Sequence, residues 1–286
     1  MKLRLGVAAL ALAFAGPTMA SAGNDDDRTD IYAVDLETGS TTLVGTADVD
    51  SNAMAVAEDG TVYLVNDEQL FTFTGLAASD ATPASGTPAT ETISPDADAT
   101  ISGLGDDEDI VGIDVRPATG ELFAISDDGI VYVLDVTSGE ATSPSGGEAI
   151  EANYDAEDVA FDFNPTVDRI RLITEDGANY RLNPDTGLIG SNPDTDEPTI
   201  DGTISWADGD ANSGEAEVVA AGYTNSVADA EETQLYVIDA ENDVLALQDP
   251  PNDGVLNTVG ELGVDVSDGS AFDITADGTA LLTIPD

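Results

Sequence analysis

The chain has 286 residues, 58 of them Asp or Glu against 7 Lys or Arg, for a formal net charge of −51, and it contains neither Cys nor His. The missing Cys excludes disulfides, thiolate nucleophiles and zinc–thiolate sites, and the missing His excludes Ser–His triads and imidazole metal ligands. Apolar residues at 41% and regularly spaced β-like runs still argue for a folded chain over a disordered one.

At the N-terminus, Lys2 and Arg4 precede the apolar run VAALALAFAG, and Ala20, Ser21 and Ala22 offer small residues before Gly23. This is the pattern of a cleaved secretory signal peptide over residues 1–22, the apolar run being too short to cross about 30 Å of hydrocarbon. The expected destination is the periplasm or the external medium, without membrane insertion after cleavage. Residues 23–30 read as an acidic linker. The mature chain keeps five Arg and no Lys. Such charge density repels itself in dilute buffer, whereas at about 1 M salt the screening length falls to about 3 Å, so the composition reads as a salt-adapted surface. Nucleic acid is not an expected partner, because its phosphates need clustered Lys and Arg.

From Met54 onward one unit recurs about every 50 residues. Its copies are MAVAEDGTVYLVNDEQLFTF from Met54, VGIDVRPATGELFAISDDGIVYVLDV from Val111, VAFDFNPTVDRIRLITEDGANYRLNP from Val159, VVAAGYTN from Val218 with TQLYVIDAENDVLAL from Thr233, and AFDITADGTALLTI from Ala271. Each gives an apolar strand, a Gly, Pro, Asp or Asn turn, a second strand, and, except in the last copy, another turn and a third. That order predicts an all-β fold, a β-propeller in a single domain over residues 31–286; the same turns would also permit a β-sandwich. The last unit stops after two strands, and IYAVDLETGSTTLVGT from Ile31 reads like the second half of a blade. The expectation is therefore five blades, closed by N-terminal strands that complete the C-terminal blade and leave no bare sheet edge. Segments 77–99 and 191–217 read as insertions, expected to be mobile loops.

Three stretches carry a family likeness: the DFNP-x-VDR-x-R run, the AGYTN segment, and PPNDG-x-L-x-TVG-x-LG, in that order. Over roughly Val62 to the C-terminus the chain resembles the exported proteins of domain of unknown function 4394. The resemblance implies a propeller-like exported domain and no established activity.

Several residues are candidates for chemistry. Asp114, Asp162 and Asp273 recur on the first strand of their units, nearest the propeller axis, where they either surround a cation or accept backbone N–H bonds in the adjacent turn. Arg169, Arg171 and Arg181 are three of the five mature cations, concentrated in one blade, and form either an ion-pair network with Asp168, Asp162 or Glu175 or a pocket for a carboxylate or sulfate. The loop Asp208, Asp210, Asn212 carries oxygen ligands at alternate positions. Ser213 and Val219 stand where an EF-hand needs Gly and Glu, leaving a looser calcium site or a solvated acidic turn. Trp206 and Tyr223 near this loop read as core residues or as platforms for a sugar ring. Calcium is the one cofactor these residues suggest.

With no nucleophile or general base standing out, the leading expectation is a non-catalytic, monomeric binding module for a protein, glycan or small-molecule ligand, with Asn164 and the three Arg as ligand-binding candidates. The alternative is a metal-dependent, lactonase-like hydrolase with Asp114, Asp162, Asn164 and Asp273 around a central site. A structural component of an envelope matrix is a third reading.

Overall fold

The turn signals divide the apolar runs into short strands that pair with their chain neighbours, as hairpins with two- to five-residue connections must. The computed structural model describes residues 9–12, 28–66, 68–74, 76–79, 91–95, 97–151, 156, 158–191 and 198–285. Five sheets of four or five strands follow one another along the chain. Blade 1 consists of Ala53–Val56, Val62–Asn66, Gln69–Phe73 and Ala97–Thr100. Blade 2 holds Ile110–Val115, Leu122–Ser126, Val131–Leu134 and Ala141–Thr142, and blade 3 holds Val159–Asn164, Arg169–Thr174, Asn179–Asn183 and Leu188–Ile189. In blade 4, Val218–Tyr223, Leu235–Asp239, Val244–Gln248 and Val255–Glu261 are extended at the outer edge by Ser205–Trp206, which runs parallel to its neighbour.

Blade 5 joins the two ends of the chain. Ala271–Ile274 and Ala280–Pro285 come from the C-terminus, Thr29–Val34 and Thr41–Ala47 from the N-terminus, and Glu91–Ile93 adds a parallel edge strand. Thr29–Val34 pairs antiparallel with Ala280–Pro285, placing Ile31 opposite Thr283 and Ala33 opposite Leu281. The fold is thus the five-bladed, all-β propeller that the repeat implied, closed as the half-units suggested. The closing strand starts at Thr29, inside the stretch read as linker, because the Thr29 side chain is buried and donates to Val49 O at 2.8 Å.

The core divides into five apolar clusters, one between each pair of adjacent blades. Blades 2 and 3, for example, interlock through Phe123, Ile125, Phe161 and Phe163, with the Phe123 and Phe163 rings edge to face at 5.1 Å. The outer hairpins turn on repeated chemistry. Asp35 Oδ1 accepts the backbone N–H groups of Glu37 and Thr38, and Asp135 Oδ1 accepts those of Thr137 and Ser138. Gly39 and Gly139 follow at φ of 80° and 75°, a left-handed conformation that a side chain would oppose.

The supposed insertions are not simply loops. Segment 77–99 supplies the edge strand Glu91–Ile93 and most of the fourth strand of blade 1, and segment 191–217 supplies Ser205–Trp206. The period of the repeat hid these strands because long connections separate them from their sheets. Of the leader reading, only Ala9–Leu12 is described, as a strand beside Leu76–Ser79 outside the five blades. Residues 1–8 and 13–22, and 23–27 of the linker, lie outside the described residues. Among the described residues, no helix is long and apolar enough to cross a membrane.

Candidate functional site

The innermost strands of the blades line the axis, and equivalent positions on them are occupied by Ala55, Asp114, Asp162, Gly222 and Asp273. Each Asp reaches sideways to the backbone of the next blade. Asp114 Oδ2 accepts Phe163 N–H at 2.7 Å, Asp162 Oδ1 accepts Tyr223 N–H at 2.9 Å, and Asp273 Oδ2 accepts Val56 N–H at 2.6 Å. These bonds join blade 2 to 3, blade 3 to 4 and blade 5 to 1. The acceptor role foreseen for these carboxylates therefore operates across blade junctions; Asp114 also bonds next to itself, accepting Val115 N–H at 2.7 Å, and Asp273 likewise accepts the backbone N–H of Ile274.

Two junctions lack such an Asp, for visible reasons. At Gly222 an added Cβ would lie 3.0 Å from the side chains of both Ile274 and Phe272 of blade 5, so any side chain there would have to push those neighbours aside. Blade 1 carries Ala55, and its link to blade 2 is made instead by Asn52 Nδ2, which donates to Ile110 O at 2.8 Å.

The three carboxylates converge as they bridge. Among the described residues, they are the one set of three acidic side chains whose oxygens lie close enough to share a metal ion, all within 4.8 Å of one another, and each residue is about 4% exposed. At an effective dielectric of about 20, two full charges at that separation repel by about 3 kcal/mol. Burial, then the charge of Asp273, raises Asp114 well above the ordinary carboxylate range, and burial with the charges of Asp114 and Asp273 does the same to Asp162. Burial pushes Asp273 up to about 6 against the pull of its backbone donors. The cluster resists full ionisation unless a cation compensates it.

Just before this carboxylate layer the axis holds a cavity of about 20 Å³, lined by small and apolar residues including Ala53, Gly112, Ala220 and Ala271. Two polar residues, Asn52 and Ser270, also line it, and Asn52 Oδ1 and Ser270 Oγ are buried without a hydrogen-bond partner.

The arginines of blade 3 are drawn into a separate network. Arg171, 2% exposed, donates to Asp201 Oδ2 at 2.6 Å, Asn179 Oδ1 at 2.7 Å, Asn252 Oδ1 at 2.8 Å and the Tyr223 hydroxyl at 3.3 Å. Arg181 lies directly across the strand pair and grips both oxygens of the same Asp201 at 2.8 Å. Two guanidinium groups thus share one buried carboxylate and tie blade 3 to blade 4. Asp201 was not among the partners suggested by sequence; it lies 20 and 30 residues from its arginines, in a segment without periodicity, and no local signal marks it. Arg169 donates to its neighbour Asp168 O at 2.7 Å, and Asn164 Oδ1 accepts Thr166 N–H in the following turn. Asp168 itself pairs with Arg116 of blade 2, Oδ1 to Nε at 2.9 Å.

In the acidic loop, Asp210 turns inward: Oδ1 accepts Asn212 N–H and Oδ2 accepts Thr258 N–H, both at 2.9 Å. Asn212 Nδ2 donates to the Thr258 hydroxyl at 2.9 Å, while Asp208 is exposed. The loop is thereby pinned to the last antiparallel strand of blade 4. Tyr223 is buried beneath Arg171, and Trp206 is half-buried with its indole N–H unpartnered.

With this geometry in view, comparison with known proteins adds an identity. The family described as domain of unknown function DUF4394 matches residues 87–285. The chain belongs to that family. The matched region includes blade 5's edge strand Glu91–Ile93, all three axial carboxylates and the Arg171 network. No curated protein matches the chain. Among solved structures, a protein of unknown function from Bacteroides thetaiotaomicron VPI-5482 aligns over 93% of this chain and 68% of its own, with a TM-score of 0.51 at 10% identity. An auxiliary nutrient binding protein from the same organism aligns over 82% and 68%, with a TM-score of 0.42 at 14% identity. The WD40 domain of Toxoplasma gondii coronin aligns over 85% and 72%, with a TM-score of 0.42 at 13% identity. At 10% identity, the first of these likenesses speaks for the DUF4394 fold alone.

Proposed function

We propose that this member of the DUF4394 family is an exported, monomeric, non-catalytic binding module whose ligand lies in a groove between blades 3 and 4. The observation that carries the reading is the contrast in size between two spaces. The axial cavity, about 20 Å³, has room for roughly one water molecule. A groove of about 770 Å³ opens between the Glu175–Gly177 turn, segment 203–217 and the Glu241–Asn242 turn, within the usual range for ligand sites. The hydrolase reading puts substrate beside Asp114, Asp162 and Asp273, each about 4% exposed, and the far larger groove favours the binding reading over it.

Glu175, Asp176, Glu215, Glu217 and Glu241 line the groove. Burial and the charges of Asp268, Glu241, Asp239 and Glu175 raise the Glu217 carboxyl above its ordinary range, and cationic groups on a ligand would relieve that repulsion. Ligands carrying two or more ammonium groups are the class the groove suits.

Spermidine serves as the probe, titrated calorimetrically into the protein in 0.5 M NaCl. Saturable binding, weakened at least about tenfold by the Glu217→Gln/Glu241→Gln pair, is the expected result, equivalent to about 1.4 kcal/mol. Failure to saturate, or an affinity untouched by the substitutions, overturns the groove as the binding site. For export, the full chain expressed in a Gram-negative host is expected outside the cytoplasm with Gly23 as its first residue. Cytoplasmic protein still beginning at Met1 would refute it.

A further inference from the structure

The axial carboxylates and the neighbouring cavity have unmet requirements that fit one another. The carboxylates lack a positive charge, and the cavity's amide carbonyl and hydroxyl lack a partner. Three oxygens within 4.8 Å of one another define a triangle whose centre lies at most about 2.8 Å from each, and a contraction of a few tenths of an ångström reaches the 2.3–2.6 Å of calcium–oxygen bonds. Magnesium, at about 2.0–2.1 Å and with a strict octahedral demand, would need a larger collapse of strands already fixed by the interblade bonds. The cavity supplies the independent observation. Ser270, 4% exposed, presents an unpartnered hydroxyl there, and Asn52, with its Nδ2 already committed to Ile110 O, presents an unpartnered carbonyl. A water bound to a cation is a two-proton donor, and a space of about 20 Å³ admits one.

We infer that Asp114, Asp162 and Asp273 hold a single calcium ion on the propeller axis, with an ion-bound water in the adjoining cavity donating to Asn52 Oδ1 and Ser270 Oγ. The ion is structural. It neutralises the carboxylates that link blades 2 to 3, 3 to 4 and 5 to 1, so its binding and ring closure reinforce each other. The inference is independent of the groove, and the Glu217→Gln/Glu241→Gln protein should bind calcium unchanged.

The test is calcium titration of full-length protein dialysed against chelator in 2 M NaCl, which suppresses weak binding to the many surface carboxylates. One calcium equivalent per chain is expected, with a rise in melting temperature and a weaker response to MgCl2. Asp162→Asn/Asp273→Asn keeps an acceptor for Tyr223 N–H and Val56 N–H while removing two charges, and should weaken the site at least about a hundredfold. Ser270→Ala, which removes only the water's partner, should weaken it several-fold and provides the decisive arm if the double variant does not fold. No tight equivalent in the parent protein overturns the inference. So does an equivalent whose affinity survives the double substitution, or, where that variant is unfolded, one that Ser270→Ala leaves unchanged.

Discussion

Substituting Ile31 by Asp is expected to abolish cooperative folding. Ile31 has no exposed surface and lies in the middle of the strand that closes the ring, flanked by Thr283 on one side and Gly45 on the other. Its side chain belongs to the core between blades 5 and 1, with Val56, Val62, Leu64 and Leu281. Losing that packing costs about 2–5 kcal/mol, as for other large-to-small core substitutions, and burying a carboxylate without a partner adds several more. The sum is comparable to the whole stability of an ordinary domain, about 5–15 kcal/mol. Releasing the strand would also expose Ala280–Pro285 as an unpaired edge, so the damage should include aggregation. Circular dichroism melting in 2 M NaCl checks this, with Ile31→Val as the control at about 0.5–1.5 kcal/mol. A cooperative Ile31→Asp transition within a few degrees of the parent protein would show that the ring does not depend on its terminal strands.

Withdrawing salt should have the second-largest effect. With a net charge of −51, repulsion among surface carboxylates reaches across about 30 Å at 10 mM salt and only about 3 Å at 1 M. A few kcal/mol of lost stability corresponds to a melting temperature lower by about 10 °C or more for a chain of this size. Acid should partly replace salt. Asp239 is raised above the ordinary carboxylate range by burial, and Glu217 by burial and its acidic neighbours, as are the axial carboxylates. A carboxyl whose folded pKa exceeds its unfolded value binds protons preferentially in the folded state. Stability of the calcium-free, low-salt protein should therefore rise as the pH falls from neutrality through about 6, the Asp273 value, toward 4. Below that it should decline, because Asp168, held low by its hydrogen bond to Arg116, loses its contribution on protonation. A melting temperature indifferent to NaCl between 10 mM and 2 M, or falling steadily from pH 7 to 5, would contradict this account.

The architecture was legible because it rests on local periodicity. Alternating apolar residues and Asp–Gly turns specify hairpins, repetition of the hairpins specifies blades, and the half-units at the ends specify closure. The recurrence of Asp114, Asp162 and Asp273 was visible for the same reason, since repeat position maps directly onto position around the axis. Strands reached through long connections, such as Glu91–Ile93 and Ser205–Trp206, left no periodic trace.

Fold class, blade number and the joining of the chain's ends were thus determined by the amino-acid sequence alone, since each depends on contacts between residues close together or in repeated positions. Only the tertiary structure decided that the axial carboxylates bond across blade junctions, that Arg171 and Arg181 share Asp201, and that Asn52 and Ser270 face one small cavity. Those outcomes depend on how far neighbouring sheets lean together, as at Gly222, and on which distant side chain fills the space that remains. Such packing distances belong to the assembled ring, and no single segment encodes them.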